Sequence, residues 1–256
     1  MSRWIRIIHD QQPRFGLLEG ETIHLCSGDM FTSPEATGET IPLASATLLP
    51  PVEPRQFLGL WNNLEQRRIA ESNFTPQFPL WFVKLPTCVL ASGREITRPP
   101  SFRGKVKFEA ELGVVIGQEC FDVSRDEVDD YIFGYTCVND VTAPGTLFEE
   151  EGFTHWCRAK SYRSFGPIGP VIATGIDPDT LRVQGILDDV TLQDYPVSDM
   201  IFGPRQIVSM ISREVTLLPG DVIACGTSLG ASDMEPGQTI EILIDGIGRL
   251  ENRYAG

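Results

Sequence analysis

The apolar positions of this chain fall into short runs, alternating or continuous and closed by Gly, Pro, Asn or Asp, a pattern of strands more than of helices. Over residues 1–48, WIRIIH, RFGLLEG and TIHLC alternate with breaks such as DQQPRF and SGDMFTSPEATGE, which predicts a small β-rich unit. PVEPRQ at 51–56, stiffened by Pro51 and Pro54, reads as a connector. RQFLGLW and LWFVKLP then predict strands, with a short polar helix, NLEQRRIAESN, between them. VKFEAELGVVIG predicts one long central strand. SRDEVDDYIF predicts a helix, with Ser124 as N-cap and Glu127 at capping-box spacing, and YIFGYTCVNDV a strand ending at Asp140. Residues 143–157 have no period and predict a loop that could act as a lid. GPIGPVIAT, LRVQGILDDV and VTLQDYP predict further strands. PRQIVSMISREVTLL predicts the strongest helix, with Pro204 in its first turn and Ile207, Val208, Ile211 and Val215 on one face. Pro219-Gly220 predicts a type II turn opening into the strand DVIAC, and TIEILIDGIGRLEN a closing hairpin. The strands outnumber the helices without alternating with them. The predicted class is therefore α+β, mostly β, with 1–50 as a small N-terminal domain and 51–256 as the main one.

Composition narrows the functional classes. The 256 residues carry a formal charge of −14, which argues against nucleic acid or an anionic membrane as partner. No apolar run is long enough to span a membrane, and charges interrupt the apolar stretches of MSRWIRIIHDQQPRF, so no signal peptide is expected there. The six cysteines include no CxxC pair, and the three histidines (His9, His24, His155) are dispersed. Reduced thiols and a cytoplasmic setting are the expectation, and a zinc site is not.

Within the central strand, Glu109 and Glu111 are two apart, so period two puts them on one face and Phe108, Ala110, Leu112 and Val114 on the other. Alone, that pattern describes an edge strand with a wet polar face. A third carboxylate changes the weighing: Asp140 follows the apolar run FGYTCV where a strand should end. Carboxylates brought together repel one another and favour a proton or a cation, and their hard oxygens suit Mg²⁺ or Mn²⁺. Lys160, in RAKSYRSFGPIGP, could polarise a carbonyl or stabilise an enolate beside such a cluster. The small residues of PGDVIACGTSLGA permit close approach of a ligand to the backbone, and Thr227 adds a hydroxyl; the segment lacks the P-loop Gly-Lys-Ser/Thr arrangement.

The ordered set FEAELGVVIG, GYTCVNDVTA, AKSYRSFGPIGP, SDMIFGP and PGDVIACGTSLG resembles the fumarylacetoacetate hydrolase family over residues 55–252. The resemblance implies a mixed β-roll or sandwich with a few flanking helices, a small N-terminal domain and a homodimer. It also implies Mg²⁺ or Mn²⁺ on Glu109, Glu111 and Asp140, Lys160 facing substrate, and Thr227 touching substrate, although Ser228 stands third in the family's GTP motif. The implied substrates are small 2-oxo or 1,3-dicarbonyl acids. Two segments depart from the family. Its GLNY..H..E reads GLWNNLEQRR here, so Glu65 takes the place of the histidine and Arg68 that of the glutamate. Its TARD..Q reads TAPGTLF, with Pro144 and Leu147 in place of arginine and glutamine.

These matches make Lys160 and Glu65 the expected catalytic residues and Thr227 and Arg68 the expected substrate contacts. The expected activity is metal-dependent C–C cleavage of the acylpyruvate type. The alternatives are decarboxylation or keto–enol isomerisation through a metal-bound enolate, and a weakened protein that binds metal and oxo acid without turnover. Glu65 serves as a base only if burial raises its pKa, and an i,i+3 pair with Arg68 would lower it. Pro144, Leu147, Phe148 and Trp156 suggest a more apolar lid.

Overall fold

The computed structural model describes residues 1–256. Its frame is a 12-stranded sheet in which ten strands follow the path Ser33–Pro42, Thr22–Asp29, Gln12–Glu19, Ser2–His9, Gly166–Thr174, Ile132–Asn139, Ala110–Ile116, Val222–Ala224, Phe57–Trp61 and Leu80–Lys84, while Thr47–Leu48 and Val89–Leu90 pair off it with Ser2–His9 and Gly166–Thr174. A second sheet, ordered Val190–Pro196, Arg182–Leu187, Thr239–Ile244, Gly248–Tyr254 and Glu95–Ile96, packs on it. Four short α-helices flank the sheets, so the chain is mostly β, as its sequence pattern predicts. The N-terminal strands extend the large sheet, because Ser2–His9 pairs antiparallel with Gly166–Thr174.

The strand Ala110–Ile116 is hydrogen-bonded on both edges, to Ile132–Asn139 and Val222–Ala224, and every residue in it is buried. Its residues, AELGVVI, are those of a strand buried on both faces. Only Glu111 is out of place, and burying that charge demands compensation. Gly113 keeps the packing close, since a Cβ there would lie 2.6 Å from Val138 Cγ2.

Four expectations need correction. The predicted central strand is broken: Val106–Phe108 pairs with Ser232–Met234, Ala110–Ile116 joins the large sheet, and Glu109 sits at the switch. The helix predicted at SRDEVDDYIF is reduced to a 3₁₀ turn, Val128–Asp130. Its Ser124 hydroxyl donates to Glu127 Oε2 at 2.5 Å instead of capping a backbone N–H, and only Val128 of the turn is buried. Without an apolar face to bury, so short a helix is not stable. Residues 143–157 hold two short helices, α2 (Pro144–Leu147) and α3 (Trp156–Lys160, which runs past the segment). The C-terminal helix α4 (Pro204–Ser212) buries Ile207, Val208 and Ile211 but stops before Val215. The Pro219-Gly220 turn matches its prediction, with Gly220 at φ +86. The closing hairpin also forms, Thr239–Ile244 against Gly248–Tyr254.

Candidate active site

The switch at Glu109 places its backbone against the end of Ile132–Asn139: Glu109 N–H donates to Asn139 Oδ1 at 3.1 Å, and Asp140 N–H donates to the Glu109 carbonyl at 2.9 Å. These contacts, with the register Ala110↔Asn139, bring Glu109, Glu111 and Asp140 together. One carboxylate oxygen from each lies within 4.8 Å of the others, and all three residues are buried.

Two lysines enter the cluster. Lys160, the last residue of α3, donates from Nζ to Glu109 Oε2 at 2.5 Å and to Asp140 Oδ2. Its ammonium lies 5.1 Å from the Phe82 ring centroid. Lys84, fully buried, donates to Asp140 Oδ1 at 2.6 Å, to the Lys160 carbonyl at 2.5 Å and to the Phe165 carbonyl at 3.0 Å. Three carboxylates therefore face two ammonium groups, and the cluster keeps an unmatched acidic group.

The pKa shifts follow that imbalance. Burial and the Asp140 charge push Glu111 well above the usual carboxylate range. For Asp140, burial acts upward, but Lys160 and Lys84 outweigh it and hold the group low. Burial would depress Lys160, but Asp140, Glu109 and Glu111 overcome it and raise its pKa. Lys160 is thus held as a cation that donates hydrogen bonds, and it is not a base.

The residues fit a divalent cation. Glu111 Oε2 accepts from the Gly226 N–H at 2.7 Å, whereas Glu111 Oε1 is buried with no partner. An orphaned carboxylate oxygen among three hard donors and an excess of acid calls for a cation or a proton. The Gly226 contact requires glycine: φ is +97, and a Cβ would lie 3.1 Å from Asn63 Cβ.

The second sheet supports the cluster from behind. Gln193 Oε1 accepts from the Ala110 N–H at 2.9 Å, and its Nε2 donates to Thr227 Oγ1 at 2.8 Å. Tyr195 OH donates to the Ala110 carbonyl at 2.9 Å and lies 3.2 Å from the Gly226 carbonyl. Thr227 Oγ1 donates to the Ala110 carbonyl at 2.9 Å. Its proton is committed there, which leaves the hydroxyl only an acceptor lone pair for any ligand.

Thr227, Glu109 and Lys160 open onto a cavity of about 140 Å³, also lined by Asn62, Arg67, Lys107, Pro144, Leu147, Phe82 and Trp156. Trp156 stacks on Phe82 with ring centroids 5.2 Å apart, so α3 closes one wall. Asn62 Oδ1 is buried without a partner. A larger recess of about 530 Å³ between Leu85, Phe153 and Tyr162 contains none of the carboxylates. The smaller cavity, not the larger recess, adjoins the carboxylate cluster and its perturbed titratable groups, which mark an active site.

Two expected site residues stay outside. Helix α1 (Glu65–Ala70) buries none of its side chains, and its Arg68 clasps Glu65 with two hydrogen bonds, 2.6 and 2.8 Å. Neither residue lines the cavity, and the Glu65 side chain is 45% exposed. The Arg68 hydrogen bonds hold the Glu65 carboxyl below the usual range, the opposite of what a neutral-pH base requires. The expected roles of Glu65 as base and Arg68 as substrate contact thus lack the geometry they need. Lys84, Gln193, Tyr195, Arg67 and Lys107 were missed by the sequence reading. For Lys84 a signal existed, since in LWFVK it shares a strand face with Leu80 and Phe82.

Comparison with known proteins agrees with the motif resemblance. Residues 57–255 match the fumarylacetoacetate (FAA) hydrolase C-terminal family model, and residues 2–51 match the Rv2993c-like N-terminal model. Protein Rv2993c of Mycobacterium tuberculosis is 36% identical over 225 residues, 87% of this chain and 83% of that protein. The 4-hydroxyphenylacetate degradation bifunctional isomerase/decarboxylase of Salmonella dublin is 36% identical over 72% of this chain and 43% of its own length. The crystal structure of 2-hydroxyhepta-2,4-diene-1,7-dioate isomerase from Mycobacterium marinum superposes with a TM-score of 0.91 at 34% identity, covering 100% of this chain and 98% of that one. The chain belongs to the fumarylacetoacetate hydrolase family.

Proposed function

We propose that the chain is a divalent-metal-dependent enzyme that forms and protonates the enolate of a small 2-oxo acid, by decarboxylation or keto–enol isomerisation. The observation that carries this choice within the family is the position of Glu65, clasped by Arg68 outside the cavity. Hydrolytic C–C cleavage needs a base to activate water. Glu109, the one acidic residue that lines the cavity, is held by Lys160, and Glu111 and Asp140 lie buried beside it at the cation site. Enolate chemistry asks less of the protein. In decarboxylation CO₂ leaves and charge is stabilised on one oxygen until carbon takes a proton from solvent. In isomerisation the enol hydroxyl gives its more acidic proton to solvent as carbon takes one up. Relatives include an isomerase and an isomerase/decarboxylase as well as hydrolases, so they support oxo-acid chemistry in common and the choice among reactions rests on Glu65.

Glu109, Glu111 and Asp140 would hold the cation, which when bound supplies Lewis-acid polarisation of a 2-oxo carboxylate. Lys160, held cationic, offers its ammonium to the oxygen where charge develops. Asn62 Oδ1 has a free lone pair for an enol hydroxyl. Phe82 and Trp156 exclude water from one side of the cavity.

The test is a panel assayed with Mn²⁺ and Mg²⁺: oxaloacetate for CO₂ release, a 2-hydroxydienoate for its ultraviolet band, and an acylpyruvate for pyruvate release. Turnover of either of the first two, lost in Glu109→Ala and Lys160→Met, supports the reading. Turnover of the acylpyruvate alone, or of none of the three, overturns it.

A further inference from the structure

The positions where the family's arginine and glutamine read substrate hold Pro144 and Leu147, which line the cavity without offering a charge. The cavity nevertheless has two cationic side chains outside the carboxylate cluster, Arg67 and Lys107. Arg67 belongs to α1, one residue before Arg68, and the helical rotation between them turns it toward the cavity. Its Nε donates to Glu71 Oε1 at 2.8 Å, which fixes one edge of the guanidinium. Of its remaining nitrogens, Nη1 makes only a 3.5 Å contact with the Thr227 carbonyl, and Nη2 has no partner. The side chain is 22% exposed, so it is partly withdrawn from solvent. Lys107 is held through its backbone, exchanging hydrogen bonds of 2.9 and 3.0 Å with Thr142, while its amine enters no ion pair.

The cavity wall therefore carries the acidic Glu109, the basic Arg67 and Lys107, and the apolar Leu60, Phe82 and Trp156. A guanidinium braced at Nε and open at its other nitrogens is preorganised to take the two oxygens of a carboxylate. Resting on the proposed function above, we infer that Arg67 is a specificity-determining residue, and that the preferred substrate is a 2-oxo acid whose far end carries a second carboxylate. An apolar tail, which Pro144 and Leu147 alone suggest, would leave the open edge of the Arg67 guanidinium without a partner.

The test compares two six-carbon 2-oxo acids that differ only at the far end, 2-oxoadipate with a carboxylate and 2-oxohexanoate with a methyl. Binding to the Mn²⁺-loaded full chain is measured by calorimetry for the wild type, Arg67→Met and Arg67→Lys, with melting curves to establish folding. Wild type should prefer 2-oxoadipate by about tenfold or more. Arg67→Met should lose that preference with 2-oxohexanoate affinity unchanged, and Arg67→Lys, which keeps the charge but not the fork, should retain only part of it. Equal affinities in wild type, or a preference that survives Arg67→Met, would overturn the inference and leave the proposed function standing. Binding of neither acid to wild type would overturn both.

Discussion

Replacing Lys84 by Met is the sharpest test of how the acidic cluster is held in the fold. Methionine approximates the length and volume of the lysine stem, so the packing loss is small. The ammonium, however, makes three buried contacts, with Asp140 Oδ1 at 2.6 Å and the carbonyls of Lys160 and Phe165 at 2.5 and 3.0 Å. Removing one partner of a buried ion pair costs about 3–5 kcal/mol, because the surviving charge stays buried. Asp140 keeps Lys160, which favours the lower end of that range, whereas the two orphaned carbonyls push upward. At about 2–4 °C per kcal/mol for a chain of this size, the melting temperature should fall on the order of 10 °C. Calorimetry in EDTA measures this without any contribution from bound cation. The double variant Lys84→Met/Asp140→Asn removes the stranded charge as well, and should be more stable than additivity predicts by about 0.5–3 kcal/mol. A melting temperature for Lys84→Met within about 2 °C of wild type, or strict additivity in the cycle, would refute the reasoning.

Other consequences are open to measurement. Glu111 is raised well above the carboxylate range, so a proton competes with the cation: metal affinity should fall about tenfold per pH unit below its folded pKa and level off above it, which Mn²⁺ titrations across pH will read. For the metal-free protein the sign runs the other way. Because the folded pKa of Glu111 exceeds the unfolded one, its contribution to stability is complete below the unfolded value and is lost as pH rises through the folded value, so melting curves in EDTA should show that decline and Glu111→Gln should lack it. Gly226→Ala should destabilise by about 1–3 kcal/mol, through its positive φ and the contact with Asn63, and should weaken metal binding by disturbing the N–H bonded to Glu111. Gln193→Leu should cost about 1–3 kcal/mol by leaving the Ala110 N–H without its acceptor, and should raise KM through the loosened Thr227.

What the sequence made legible was set by local spacing. Glu109 and Glu111 are two apart, Asp140 ends a strand, and Pro219-Gly220 has a turn chemistry of its own; these features survive in the structure even though the strand breaks at Glu109. The break depends on Asn139 and Ser232–Met234, partners that no local pattern names. Gln193 and Tyr195 were opaque for the same reason, because their role exists only once Val190–Pro196 lies over Ala110 and Gly226. Glu65 shows the opposite failure. Counting along a motif placed it in the site, whereas the i,i+3 spacing to Arg68, visible in the same residues, is the interaction the helix forms. Arg67 was passed over because the motif specifies no residue at its position, and only the rotation of α1 turns it toward the cavity.

The central claim is that Glu109, Glu111 and Asp140 hold one divalent cation beside the cavity that Glu109 lines. Calorimetric titration of EDTA-treated protein with Mn²⁺, wild type against Glu111→Gln, tests it most directly. The account predicts one ion per chain in wild type and loss of that binding in a variant that still folds. Absence of stoichiometric binding in wild type, or unchanged binding in Glu111→Gln, would contradict it.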